Sequence, residues 1–116
     1  MPVRKYNEVD EIQVKMEGVA GEVTKRVPIG KDEGWDGYTM RVFKIAPGGN
    51  TPKHSHDWEH VNYIMAGKGQ LLIDGKISEV SEKDFALVPP NAEHQFLNPY
   101  DQPFEFICIV PNRGEY

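Results

Sequence analysis

Apolar and polar residues alternate along most of this chain, and turn residues interrupt the alternation at short intervals. Ile12, Val14 and Met16 are separated by polar neighbours, the pattern of a half-buried strand. Val23 and Val27 lie in a second extended stretch that ends near Pro28. After a loop from Gly30 to Gly37, which holds Trp35, the β-rich run 38–46 closes on the turn Pro47-Gly48-Gly49-Asn50. The next strand, 60–66, stops at Gly67-Lys68-Gly69. Strands 70–73 and 76–80 flank Asp74-Gly75, a favoured type I′ hairpin turn. Strand 85–88 ends at Pro89-Pro90-Asn91, and strands 93–97 and 104–110 complete the series. No stretch sustains a helical period between caps, so no long helix is predicted. Short strands at this spacing predict an all-β fold, a sandwich or a barrel. No linker, repeat or low-complexity tract divides the sequence, which predicts one domain over residues 1–116.

Charge and cysteine usage narrow the function classes. The net charge is −5 and the basic residues are scattered, so the basic face of a nucleic-acid binder is not expected. No apolar run approaches the roughly 20 residues of a membrane-spanning helix, and residues 1–8 contain no apolar signal segment. A single cysteine, Cys108, suits a reducing compartment. The expectation is a cytoplasmic protein with neither nucleic-acid nor membrane partners.

The histidines add chemistry. All four lie in two short segments: His54, His56 and His60 in G-G-N-T-P-K-H-S-H-D-W-E-H, and His94 in P-P-N-A-E-H-Q-F-L-N. On a strand, residues two apart share a face, so His54 and His56 project together. His60 opens the following strand and turns back toward them. Such a group reads as one transition-metal site, because neutral imidazole is a good ligand for zinc, copper, iron and nickel and, in mixed sites, for manganese. A closed structural zinc site is disfavoured, since such sites usually include thiolates and neither segment contains cysteine. Four ligands on an octahedral ion leave two positions for water, dioxygen or a substrate. No G-x-S-x-G elbow, P-loop or G-x-G-x-x-G motif is present. A Cys108–histidine nucleophile would leave three histidines unexplained.

These segments resemble the two motifs of the cupin family. Gly48, His54, His56 and Gly67 match the first, with His60 where glutamate is usual; Pro89, His94 and Asn98 match the second, with Lys83 and Asn91 in place of its two glycines. Asparagine is the non-glycine residue most at ease at positive φ. The stretch H-x-H-x-W-E-H and a later F-x-C-x-x-P are similar to a four-histidine subset of small cupins. The resemblance implies a single-domain jelly-roll β-barrel that holds one divalent metal (Mn, Fe, Cu, Zn or Ni) on His54, His56, His60 and His94. It also implies a small-molecule substrate and a homodimer in which the Ile12–Met16 strand crosses to the partner. Exchanging glutamate for His60 leaves the full +2 charge on the ion, which favours anionic ligands and disfavours a trivalent state. Glu59 stands one residue too early to be the usual ligand and is expected at the surface or behind the ligands.

The remaining candidates are pocket residues. The resemblance places Phe106 and Cys108 near the metal, with Ile64 as a further apolar wall. Arg41 shares a strand face with Phe43 and Ile45; burial would be costly for an unpaired charge, so solvent is the simpler destination, and an anion at the metal is the other. Trp58 and Trp35 either pack at the rim or stack on substrate, and Phe96 shares parity with His94. The function expected first is a metal-dependent oxidoreductase of the dioxygenase kind. The alternatives are a non-catalytic metal- or sugar-type binding module and a Lewis-acid isomerase or decarboxylase. The last needs a proton donor or acceptor, for which Arg41, Tyr63 and Cys108 are candidates.

Overall fold

In the computed structural model, which describes residues 2–115, the alternating stretches become two antiparallel sheets. Strands β1 (Ile12–Gln13), β2 (Val23–Ile29), β3 (Tyr38–Ile45), β4 (His60–Ala66), β7 (Phe85–Val88) and β9 (Phe104–Pro111) form the larger one, in the order β1-β2-β3-β9-β4-β7. Strands β5 (Lys68–Ile73), β6 (Lys76–Ser81) and β8 (His94–Leu97) form the smaller, in the order β6-β5-β8. The segment from Gly48 to His54 runs beside β8, joined by the pairs Asn50↔Leu97 and His54↔His94. The helical content of the described residues is confined to three short 3₁₀ turns. None of their helices is long and apolar enough to cross a membrane. The architecture is all-β, as the strand pattern predicted, with two antiparallel sheets in the barrel-like arrangement that the resemblance implied.

Strand pleating sets the interior. On β9, Phe104, Phe106, Cys108 and Val110 are buried and alternate with half-buried outward residues. β3 pairs with β9 in the register Arg41↔Cys108, Phe43↔Phe106 and Ile45↔Phe104. β4 pairs with its other side as Asn62↔Cys108 and Ile64↔Phe106. Three strands therefore present matched inward rows. Below them the core closes with Val23, Leu71, Val80, Val88 and Phe96. The hairpin turn falls at Asp74-Gly75 as predicted, with φ of 47° and 83°. Gly67 has φ of 76°, and a Cβ there would lie 2.0 Å from the Pro103 carbonyl oxygen, so the turn after β4 excludes any side chain.

One strand expectation changes. The Ile12–Met16 alternation yields only the two-residue β1, bonded to β2 of the same chain, and Ile12 and Met16 stay exposed. Their apolar side chains border an internal cavity instead of the core. Lys83 and Asn91, at the two motif glycine positions, both adopt positive φ, 76° and 68°.

Candidate metal centre

The histidines meet between the two sheets. His54 and His94 form a reciprocal backbone pair, with N–H to O distances of 3.1 and 2.9 Å, so their side chains leave adjacent strands on the same side. His56 follows two residues later, and its carbonyl accepts from the Asn91 N–H at 2.7 Å. His60 begins β4 in the facing sheet. Ligand nitrogens of His54, His56 and His94 lie within 4.8 Å of one another, a group that could hold a metal ion. His60 stands beside this trio, with its Nε2 3.2 Å from the Nε2 of His94.

Hydrogen bonds on the far sides of the rings fix where the protons sit. His56 Nδ1 is 2.8 Å from the Trp58 carbonyl oxygen and His94 Nδ1 is 3.0 Å from that of Ala92. A carbonyl can only accept, so both Nδ1 atoms carry the proton. His60 Nδ1 is 2.9 Å from Asn62 Oδ1, and the Asn62 amide is oriented by donation from Nδ2 to the Ile107 carbonyl. His60 therefore donates from Nδ1 as well. Each of these neutral rings turns a bare Nε2 lone pair inward. At 3.2 Å, the Nε2 atoms of His60 and His94 face each other lone pair to lone pair, a contact that a cation relieves.

A shared proton is a poor substitute for that cation. Burial, followed by the neighbouring histidines, lowers the pKa of His54 from 6.5 to about 4. Burial also brings His60 to about 4 against the opposing Asn62 bond, and His94 to about 4 against the Ala92 bond. His56 is lowered by burial and held partly up by Trp58. Neutral imidazoles with fixed tautomers are what a divalent transition metal requires of its ligands, and carboxylate or carbonyl partners on the second nitrogen are the usual outer support. The donor chemistry fits such an ion. Metal–nitrogen bonds of about 2.1 Å need ligand nitrogens no more than about 4.2 Å apart, so the rings have only to close slightly.

A cavity of about 380 Å³ opens beside the histidines. Phe43, Phe96 and Phe106 form its aromatic wall, with Phe96 and Phe106 stacked at 4.2 Å. Trp58 also borders it, parallel to the His56 ring at 4.3 Å. Phe106 and Cys108 line the cavity and are almost fully buried. Burial raises the Cys108 thiol above its ordinary pKa, opposed by Arg41 beside it.

Arg41 does not point to solvent. It is 8% exposed and lines the same cavity, donating from Nη2 to Cys108 Sγ at 3.1 Å and from Nη1 to the Gly114 carbonyl at 3.3 Å. Glu115, 3.6 Å away, supplies countercharge, and the Phe43 ring lies 4.9 Å from its guanidinium carbon. Strand parity with Phe43 and Ile45 prevails because partners from the chain's last residues, far along the sequence, reduce the cost of burial.

Several other expectations move. Ile64 is fully buried in the core and does not border the cavity. Tyr63 lies on the outward face of β4 against Phe85, so it is no proton carrier here. Trp35 packs on Tyr38, away from the cavity. Glu59 is exposed. Asn62 was missed, although a polar residue two positions after His60 on one strand shares its face and was the available signal. Lys15 and Lys25, which also line the cavity, gave no such signal.

Comparison with known proteins agrees with this geometry. The model of the cupin domain family matches residues 41–110. The 1-methylthio-D-xylulose 5-phosphate methylsulfurylase of Rhodospirillum rubrum is 32% identical over 88% of this chain, and the chain spans 65% of that protein's length. The polyketide cyclase RemF of Streptomyces resistomycificus superposes with a TM-score of 0.89 at 27% identity, covering 96% of this chain and 79% of RemF. A predicted oxalate decarboxylase of Thermotoga maritima reaches 0.87 at 21% identity over 95% of this chain and 98% of its own, a likeness of fold.

Proposed function

This chain belongs to the cupin family, and from that premise we propose that it is a metal-dependent enzyme acting on a small organic anion. His54, His56, His60 and His94 hold one divalent transition metal, Mn, Fe, Cu, Zn or Ni. The observation that carries this reading is the convergence of unprotonated Nε2 atoms at the edge of an aromatic cavity. An ion held there would supply Lewis-acid polarisation of a substrate oxygen. Phe43, Phe96 and Phe106 keep water away from that oxygen and enclose the apolar part of the substrate. Arg41 adds a positive charge within the same enclosure. Cys108, neutral under burial, is the proton-bearing group that lines the cavity beside Arg41.

Charge decides the reaction class. The ligands are all neutral, and among the described residues no carboxylate lines the cavity, whereas Lys15, Lys25 and Arg41 do, with Glu115 as the one countercharge shared by Lys25 and Arg41. Such a site stabilises a developing oxyanion and gains nothing from raising the oxidation state of the ion. Lewis-acid rearrangement or cyclisation therefore stands ahead of the oxidoreductase chemistry that the motif first suggested. Cyclisation is also the activity named for RemF, which supports keeping this class in view. The dioxygenase reading is supported by the aromatic walls, which suit a phenolic substrate. The test is turnover of enolisable and phenolic carboxylates or phosphates by protein loaded with zinc or with iron or manganese, with oxygen consumption followed in parallel. Turnover with redox-inert zinc and no oxygen uptake is expected. Turnover that needs iron or manganese and consumes oxygen establishes the dioxygenase instead, and metal binding with no turnover of any substrate leaves a binding module.

Self-association belongs to the same proposal. Val61, Phe85 and Leu87 are exposed on the outer face of the larger sheet at 45%, 80% and 57%. Light scattering is expected to give a dimer that Phe85→Asp dissociates.

A further inference from the structure

The Arg41 guanidinium is poorly served for a buried cation. Its side chain is 9% exposed, yet its Nε has no hydrogen-bond partner. The other donors meet a thiol sulfur and a carbonyl at 3.3 Å. Glu115 approaches from the chain's last turn, placing Oε2 2.9 Å from Lys25 Nζ and Oε1 3.6 Å from Arg41 Nη1. Oε1 is also buried without a hydrogen bond. One carboxylate thus spans two cavity-lining cations, one oxygen to each, and satisfies neither itself nor the arginine. Buried charged groups left short of partners are costly, and an arginine fork is best matched by two oxygens of one oxyanion.

We propose that Lys25 and Arg41 form the seat for a phosphate monoester on the substrate, and that Glu115 occupies this seat as an internal surrogate. The proposal rests on the reading of the cavity as the substrate site. Donor count favours phosphate. Lys25 Nζ, Arg41 Nε and an Arg41 Nη group offer three points of attachment, and a phosphate monoester presents three terminal oxygens where a carboxylate has two. Lys15, a third cation on the cavity lining, supplements the local field in a chain whose net charge is −5. Both cations share the cavity with the histidines. A small substrate held by its phosphate at this end therefore presents its other oxygens to the metal ligands.

Glu115 is placed to leave. It follows the 3₁₀ turn Asn112–Gly114, which is anchored at its start, where the Asn112 N–H donates to the Gly37 carbonyl at 3.0 Å and the Thr39 hydroxyl to Asn112 Oδ1 at 2.9 Å, and toward Glu115 by Arg41 on the Gly114 carbonyl, Trp58 over Gly114 and the exposed ion pair of Arg113 with Asp57 at 2.5 Å. Surface pairs of this kind hold a segment weakly. Trp58 and Asp57 belong to the histidine-bearing loop, so the surrogate is linked through them to the histidine cluster.

The test is calorimetric titration of the full chain with inorganic phosphate, once stripped of metal by a chelator and once loaded with zinc. Metal-free protein is expected to bind phosphate, and Glu115→Gln to tighten it about tenfold, the worth of roughly one charge-assisted hydrogen bond no longer contested. Lys25→Met is expected to abolish the gain, and Arg41→Lys, which keeps the charge without the fork, to weaken binding by a similar factor. A thermal melt of each variant checks that it is folded. Unchanged affinity in Glu115→Gln, a gain that survives Lys25→Met, or phosphate binding seen only with zinc present would each overturn the proposal. Acetate bound as tightly as phosphate would overturn the choice of a phosphate. Phosphate seated at Lys25 and Arg41 in a protein that binds no metal would sink the metal reading and leave this one standing.

Discussion

Two neighbouring rows of side chains on β3, β9 and β4 solve the same problem in opposite ways. Arg41, Cys108 and Asn62 form one row; Phe43, Phe106 and Ile64, one step along the strands, form the next. Both point inward. The apolar row is satisfied by contact, with Phe43 and Phe106 stacked at 5.7 Å and Ile64 fully buried. The polar row must be satisfied by bonds, and its bonds reach outward to the ligands and the tail: Asn62 to His60, Arg41 to Gly114 and Glu115. The comparison teaches where stability and function separate. Packing in one row makes a rigid floor, and the unfilled valences above it make a site.

The largest effect should come from the floor. Phe104→Ala, fully buried beneath Phe96 and Phe106, is expected to cost about 3–5 kcal/mol of stability. Denaturant unfolding measures it. The separation of roles requires that the folded fraction of this variant bind zinc as tightly as the parent; a parallel loss of metal affinity breaks the comparison. The reverse experiment is Asn62→Leu, which removes the acceptor that holds His60 in its tautomer. Metal affinity should fall about 10–100-fold, and Asn62→Asp, which restores an acceptor, should recover much of it. Competition with a chromogenic chelator reads both.

Acidification probes the polar layer as a whole. His54, His60 and His94 have folded pKa values lowered to about 4 from 6.5, chiefly by burial. Between these values the unfolded chain binds protons that the metal-free folded chain refuses. Stability is therefore fully present above the unfolded value and declines as pH falls from about 6.5 toward 4. Melting temperatures of metal-free protein across this window should drop, and saturating zinc should raise the curve where the rings are neutral. A melting temperature that rises on acidification would mean that the rings gain a carboxylate partner.

Legibility in the sequence followed the range of the interaction. Strands, the Asp74-Gly75 turn and the histidine cluster rest on spacings of a few residues, and they were readable. Parity placed Arg41 on the inward face, but only Gly114 and Glu115, more than 70 positions away, explain why a charge is tolerated there. The Lys25–Glu115 pair is of the same kind, joining β2 to the last turn across a separation of 90. The Ile12–Met16 alternation predicts a half-buried strand, and apolar residues facing a cavity have the same pattern as apolar residues facing a core. Only the folded chain distinguishes them.

The smallest effect sharpens the comparison most finely. Lys83 and Asn91 are both non-glycine residues at positive φ; one anchors the apolar row through its backbone and the other the histidine cluster. The Lys83 N–H donates to the Ile64 carbonyl at 2.8 Å, in the apolar floor; the Asn91 N–H donates to the His56 carbonyl at 2.7 Å, in the metal layer. A lysine in the left-handed region carries strain of roughly 1–2 kcal/mol that glycine lacks, offset in part by the greater freedom of glycine in the unfolded chain. Lys83 is exposed, so its side chain has little packing to lose. Lys83→Gly should therefore stabilise by about 0.5–1 kcal/mol and leave zinc affinity unchanged. Asparagine tolerates this conformation better, so Asn91→Gly should leave stability nearly level. If Asn91→Gly loosens zinc binding while Lys83→Gly does not, the two turns divide their duties as the rows do. Equal effects on zinc would mean that the barrel moves as one body and that the floor and the site are not separable.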